Sequence, residues 1–265
     1  MKRVWLRAAA LALVVFGAVA GLTVYLSTEN IPRCFVSGVD TWRPPTDGGT
    51  HRYEVVILDR SACLFDMDQQ QRLVGALSLS QGQWLAAAVP AESDTLRVSD
   101  SEHGVVFMTR RGLLGVRVLD LRTRRPLYLT RFKGFTWNPR FGPDPPSHGL
   151  SLAPDRPELW VLDAPNSVVH LFDVSELPGR SPQRLEDIRL SKPISGDENP
   201  CKRACGRIGS LLHSADGRFV YVGDAGDVID TRTREIVANL EALHNSRLQL
   251  EVDWVGGKAL FPGRK

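Results

Sequence analysis

The chain has 265 residues, with 33 Lys and Arg against 30 Asp and Glu, 43% hydrophobic residues and 24% charged ones. That balance excludes a disordered or collagen-like chain, because there is enough apolar surface to build a core. A formal net charge of +3, with acids and bases interspersed, carries no nucleic-acid footprint, and four Cys in this length exclude a small disulfide-stapled scaffold.

At the amino terminus, Lys2, Arg3 and Arg7 flank an uncharged stretch from Ala8 to Leu26. A helix over that stretch, rising about 1.5 Å per residue, reaches roughly 28 Å, close to the hydrocarbon thickness of a bilayer. Residues 1–30 are therefore expected to form a transmembrane signal anchor with its basic flank in the cytoplasm. Ala18-Val19-Ala20 also fits a signal-peptide cleavage site. Both readings place residues 31 onward outside the cytoplasm, on the periplasmic side if the source is bacterial. Cys34, Cys63, Cys201 and Cys205 are then disulfide candidates in an oxidising space. Neither close pair has the two-residue spacing of zinc ribbons, and Gly206 after Cys205 breaks the c-type haem motif.

Residues 31–51 are rich in Pro, Gly, Thr and Asp and read as a linker. From residue 52 to the end, short β-branched and aromatic runs alternate with turn residues. The clearest are Tyr53 to Leu58, Gln83 to Val89, Val105 to Thr109, Val116 to Leu121, Leu159 to Leu162, Val168 to Phe172, Phe219 to Val222 and Gln249 to Trp254. No stretch sustains a 3.6-residue apolar period, so the domain is expected to be all-β. Leu248 to Trp254, a Gly256-Gly257 turn and Lys258 to Phe261 form a last hairpin. Closing a ring requires it to recruit a strand from the other end of the domain, and Tyr53 to Leu58 is the expected partner.

The segments LSLAPDRPELWVLDAPNSVVHLFDVSE and LLHSADGRFVYVGDAGDVIDTRTRE repeat one plan: strand, Asp-bearing turn, strand, Asp, strand, Asp-bearing turn. The Asp residues that end the last strand of this plan fall at 66, 120, 173 and 230, at intervals of 54, 53 and 57. Small sheets that are apolar on both faces cannot be buried singly, and stacking them around an axis is the β-propeller solution. The stretch SADGRFVYVGDAGDVIDTRTREIVANL resembles a YVTN-type, YncE-like β-propeller repeat, and HGLSLAPDRPELWVLDAPNSVVHLFDV is similar to the same unit. A domain of five to seven blades over residues 52–265 is expected. The intervals exceed the usual blade repeat of about 40–45 residues.

Propellers bind at the channel and its mouth, so the ligand candidates are His148 at the start of a strand, Trp137 and Arg140 in the preceding loop, and Asp163 and Asp224 at strand ends. Asp120, Asp173 and Asp230 recur because each repeat needs the same turn. Arg110, Arg111, Arg122, Arg124 and Arg125 form a local basic cluster, either a solvated turn or a contact for anionic headgroups or an acidic partner. No serine-nucleophile elbow, P-loop, His-Glu-x-x-His or dinucleotide fingerprint is found, and no cofactor or metal is assigned. The family resemblance implies a membrane-tethered, non-catalytic binding or scaffold module, taking a protein partner or small ligand at the channel mouth. The alternatives are a metal-dependent lactonase-like hydrolase using Asp163, Asn166 and Asp224, and a propeller associated with periplasmic quinoprotein or amine dehydrogenases.

Overall fold

The chain divides into two compact units, Met1–Arg33 and Cys34–Lys265. The computed structural model describes residues 45–58, 61–78, 97–138, 146–192, 211–223, 225–244, 248–256 and 258–260, all in the second unit. Among the described residues no helix is long and apolar enough to cross a membrane. The expected anchor over residues 1–30 and the expected strand over Gln83 to Val89 lie outside them.

The second unit is all-β. Its strands are β1 (Thr50–Leu58), β2 (Ser61–Asp66), β3 (Arg72–Ser78), β4 (Arg97–Asp100), β5 (Val105–Met108), β6 (Gly115–Asp120), β7 (Pro126–Arg131), β8 (Ser147–Leu152), β9 (Glu158–Asp163), β10 (Val168–Asp173), β11 (Gln183–Arg189), β12 (Leu211–His213), β13 (Phe219–Val222), β14 (Asp227–Asp230), β15 (Ile236–Asn239), β16 (Leu248–Val255) and β17 (Lys258–Leu260). They form four antiparallel sheets. Sheet I has the order β17-β16-β1-β2-β3, sheet II β4-β5-β6-β7, sheet III β11-β10-β9-β8 and sheet IV β12-β13-β14-β15.

Sheet I holds the expected closure. The carboxy-terminal β16 pairs antiparallel with β1, from Thr50 opposite Val255 to Ile57 opposite Leu248, and β17 extends it as the final hairpin. Against the expected five to seven blades, the described residues form four sheets, one for each Asp at 66, 120, 173 and 230.

Packing explains the apolar runs. In β9, Leu159 and Val161 join the cluster shared with sheet II, which includes Phe107 and Val118. Trp160 and Leu162 join the cluster shared with sheet IV, which includes Val220 and Val222. Phe219 and Tyr221 of β13 pack with Val56, Cys63 and Phe65 of sheet I. Strands buried on both faces lose polar alternation, and each side chain so covered stabilises by about 1.5–3 kcal/mol. The first strands approach one another: β8 lies against both β4 and β12. The last strands β7, β11 and β15 are mostly exposed. This sequential stacking, inner strand to outer strand, is propeller-like.

The tightest of these approaches is at Gly149, where an added Cβ would stand 2.8 Å from Leu211 Cβ and 3.1 Å from the Leu211 nitrogen. Gly149→Ala is expected to force β8 and β12 apart and to cost about 1–3 kcal/mol, as overpacking does. Urea unfolding with an unchanged slope and a lowered midpoint checks this. An unchanged midpoint would show that the two inner strands do not meet.

Candidate functional site

The recurrent aspartates are turn acceptors. Asp66 Oδ1 accepts from the Asp68 and Gln69 amides at 2.9 and 3.1 Å, Asp120 from Thr123 at 2.5 Å, Asp173 from Ser175 at 2.8 Å, and Asp230 from Arg232 and Thr233 at 2.9 and 3.0 Å. Each bond replaces a water that the turn amide would otherwise need. These amides also hold the Asp120 and Asp173 carboxyls below their ordinary range.

Asp163 is fully buried. Its Oδ1 accepts from the Asn166 amide at 3.1 Å, the Asn166 side chain donates to both of its oxygens at 2.9 Å, and His170 Nε2 lies 3.1 Å from Oδ2. The other ring nitrogen of His170, Nδ1, is 2.6 Å from Asp187 Oδ1, across the β10–β11 pairing. His170 is itself fully buried, with the Phe132 and Phe135 rings centred 4.2 and 4.7 Å from its own. Burial opposes ionisation of Asp187, but hydrogen bonds from Arg184 and His170 outweigh it and hold the carboxyl below its ordinary range. This chain of hydrogen bonds fastens β9, β10 and β11 together. Sequence reasoning did not single out His170; the available signal was a lone imidazole within the apolar run VVHLFD, which needs polar partners when both strand faces are covered.

The other sequence candidates are dispersed. Trp137 is described and half-buried in the connection after β7, and His148 lies in β8 beside a register irregularity between Ser147 and Gly149. Ser147 pairs with Asp163, so His148 and Asp163 stand at the same end of sheet III. Arg140, Asp224, Cys34, Cys201 and Cys205 lie outside the described residues. Cys63 is fully buried in β2 and disulfide-bonded. Among the described residues no three His, Cys, Asp or Glu side chains converge in a way that could hold a metal ion.

At the opposite end of sheets III and IV, the turns after β8, β12 and β14 enclose a cleft of about 370 Å³ lined by Asp155, Arg156, Asp216, Arg218, Asp230, Thr231 and Arg232. Each carboxylate is already engaged. Asp155 takes Arg156 Nε and Nη2 at 3.1 and 2.9 Å, Asp216 binds Arg52, the Ser214 hydroxyl and the Arg218 amide, and Asp230 serves its turn. Arg156 also reaches the buried Thr231 hydroxyl at 3.1 Å, tying sheet III to sheet IV. Arg218 rests over the Phe219 ring, 4.9 Å from its centre, and 3.8 Å from Asp68. Beside the cleft stands His213, 2.7 Å from the Ser151 hydroxyl and edge-on to Trp160. Burial, only partly offset by Asp155, pushes its pKa down to about 3.

The geometry defines an all-β, propeller-like domain with a polar inter-sheet cleft. No protein-family model matches the chain, and no curated protein matches it. Among solved structures, a chain of Kuenenia stuttgartiensis hydrazine synthase is similar at a TM-score of 0.39 and 12% identity, over 78% of this chain and 52% of that one. Dihydro-heme d1 dehydrogenase NirN in complex with DHE is similar at a TM-score of 0.36 and 13% identity, over 77% of this chain and 37% of that one. The chain thus spans about half the length of the first and little over a third of the second.

Two outcomes follow from the buried histidines. His170→Leu leaves Asp163 and Asp187 without the imidazole that hydrogen-bonds to both, and is expected to cost about 1–3 kcal/mol. The double change Asp163→Leu with His170→Leu should recover part of that loss in urea titrations; no recovery would contradict the coupling. For His213 the folded pKa, about 3, lies below the unfolded value near 6.5. Its contribution is therefore complete above the unfolded value and is lost as pH falls from there towards 3, because the unfolded chain takes up the proton first. His213→Gln should flatten the unfolding midpoint against pH across that window and leave its dependence above pH 7 unaltered.

Proposed function

We propose that this chain is a non-catalytic binding module of the YVTN-type propeller kind, held at a membrane by residues 1–30 and exposed on the extracytoplasmic side. The basic flank and apolar stretch of the first 30 residues support the tether, and the bond at Cys63 suits an oxidising compartment.

The observation that carries the binding reading is the cleft between sheets III and IV. Its carboxylates are held by their own turns, so the uncommitted groups are donors. Among the described residues, the Arg232 guanidinium makes no hydrogen bond or ion pair, and Arg218 is restrained only by an aromatic face and a long contact to Asp68. Guanidinium groups of this kind pair with carboxylates bidentately. A small polar ligand bearing a carboxylate fits both the volume and the donors. This site lies at the other end of the sheets from His148 and Asp163, so the ligand is taken at the turn face and not beside them.

Thermal unfolding of the full chain against a panel of mono- and dicarboxylates tests the reading. At least one is expected to raise the midpoint, and Arg218→Ala combined with Arg232→Ala should remove the shift with little change in the unliganded midpoint, since both side chains are exposed. Protection that survives the double change would place the ligand elsewhere. A panel without any stabilising carboxylate would count against the cleft.

A further inference from the structure

Sheet II differs from the others in charge and in cover. Residues 97–138 carry nine Lys and Arg against three Asp and Glu, whereas the whole chain has a formal net charge of only +3. Most of the excess lies on β6, β7 and the turn between them. Among the described residues Arg117, Arg122, Arg124, Arg125 and Arg131 form no ion pair.

The pairing register assigns the two faces. Phe107 stands opposite Val118, and Val118 opposite Tyr128, on the face that packs against sheet III. Met108 stands opposite Arg117, Arg117 opposite Leu129, and Val106 opposite Leu119 on the other face. Not one of those five side chains, nor Leu127, is buried. Leu127 and Leu129, two residues apart on β7, are 37% and 48% exposed, and Leu121 in the adjoining turn is 44% exposed. Among the described residues β7 is also the outermost strand of its sheet, and its outward N–H and C=O groups have no described strand to pair with. An uncovered apolar row with a free edge invites association unless charge manages it. Here all the surplus charge has one sign.

We infer that the free edge of β7 and the adjoining face of sheet II bind an acidic, extended polypeptide segment of a partner, added as a further strand. Its main chain bonds the edge of β7, and the residues it turns to this face, every second one, are apolar beside Leu127 and Leu129 and acidic beside Arg131 and towards Arg117 and the arginines of the β6–β7 turn. A lipid surface satisfies the arginines but not the backbone groups of β7, which hydrocarbon cannot hydrogen-bond. This surface is distinct from the cleft and does not depend on it.

The test uses the full chain in neutral detergent and a short, fluorescently labelled peptide, followed by anisotropy, in which every second residue is in turn Glu and Leu and the residues between them are Thr. The peptide is expected to bind with an affinity that falls as salt rises. Leu129→Glu and Arg117→Glu should each weaken it about tenfold or more, and N-methylation of alternate peptide nitrogens should abolish it. Val237→Glu, on the exposed outer strand β15 (Val237 50% exposed), should change nothing. Each variant alters a side chain that is not buried, and retention of the unfolding midpoint separates lost binding from lost folding. The inference is overturned if the peptide does not bind, if a Lys-for-Glu peptide binds as well, or if Val237→Glu weakens binding equally. Binding to phosphatidylglycerol vesicles without binding to the peptide would overturn it in favour of a lipid surface.

Discussion

The middle strands of these small sheets are apolar on both faces, and one sheet of four or five strands offers water two such faces. Trp160 and Leu162 point one way from β9 while Leu159 and Val161 point the other. Neither pair has cover within its own sheet. Sheets III and IV therefore depend on a neighbour on each side, and the three apolar clusters between sheets II and III, III and IV, and IV and I supply it. Polar groups within those layers must find partners in place, because desolvation without a hydrogen bond costs more than packing returns. That is why His170 is held between Asp163 and Asp187, and why Asp227, also fully buried, accepts from the Ser191 amide at 2.8 Å and the Asn239 side chain at 2.7 Å.

Much of this arrangement is legible in the amino-acid sequence, for a physical reason. The strands that fill the clusters are apolar runs, β9 and β13 without interruption and β10 broken only by His170, and a Gly-Gly turn announces the terminal hairpin that pairs with β1. Outer strands such as β11, QRLEDIR, and β15, IVAN, escape detection because they have little buried surface to select for apolar residues. The number of sheets is not readable from the repeat interval, since an interval sums strands and connections and only the strands are constrained by packing. The turn aspartates, by contrast, match the sheets of the described residues one for one, because each answers a local need for amide acceptors.

The two surfaces argued here for binding were less legible. The cleft gathers turn residues up to 77 positions apart in the chain, and its Asp-x-Arg pattern, as in Asp216-Gly217-Arg218 and Asp230-Thr231-Arg232, looks like turn chemistry until the third dimension brings the arginines together. The basic cluster around the β6–β7 turn was visible as charge. What the sequence does not contain is the register that places Arg117 beside Leu129 and leaves both open on one face. Charge composition suggests that a surface interacts; strand register decides with what shape.

The pairing of β1 with β16 has a kinetic side. Sheets II, III and IV are each built from consecutive strands, so their hydrogen bonds close over short spans of chain. Sheet I instead joins residue 50 to residue 255, and bringing such distant segments together costs more chain entropy and more time than forming a local hairpin. The fold is thus assembled from locally formed pieces and locked by its least local one. Until β16 arrives, β1 presents a bare edge. For a chain delivered from its amino terminus onward, that edge is open longest when little else is folded, which makes the first blade the segment with most to gain from a chaperone.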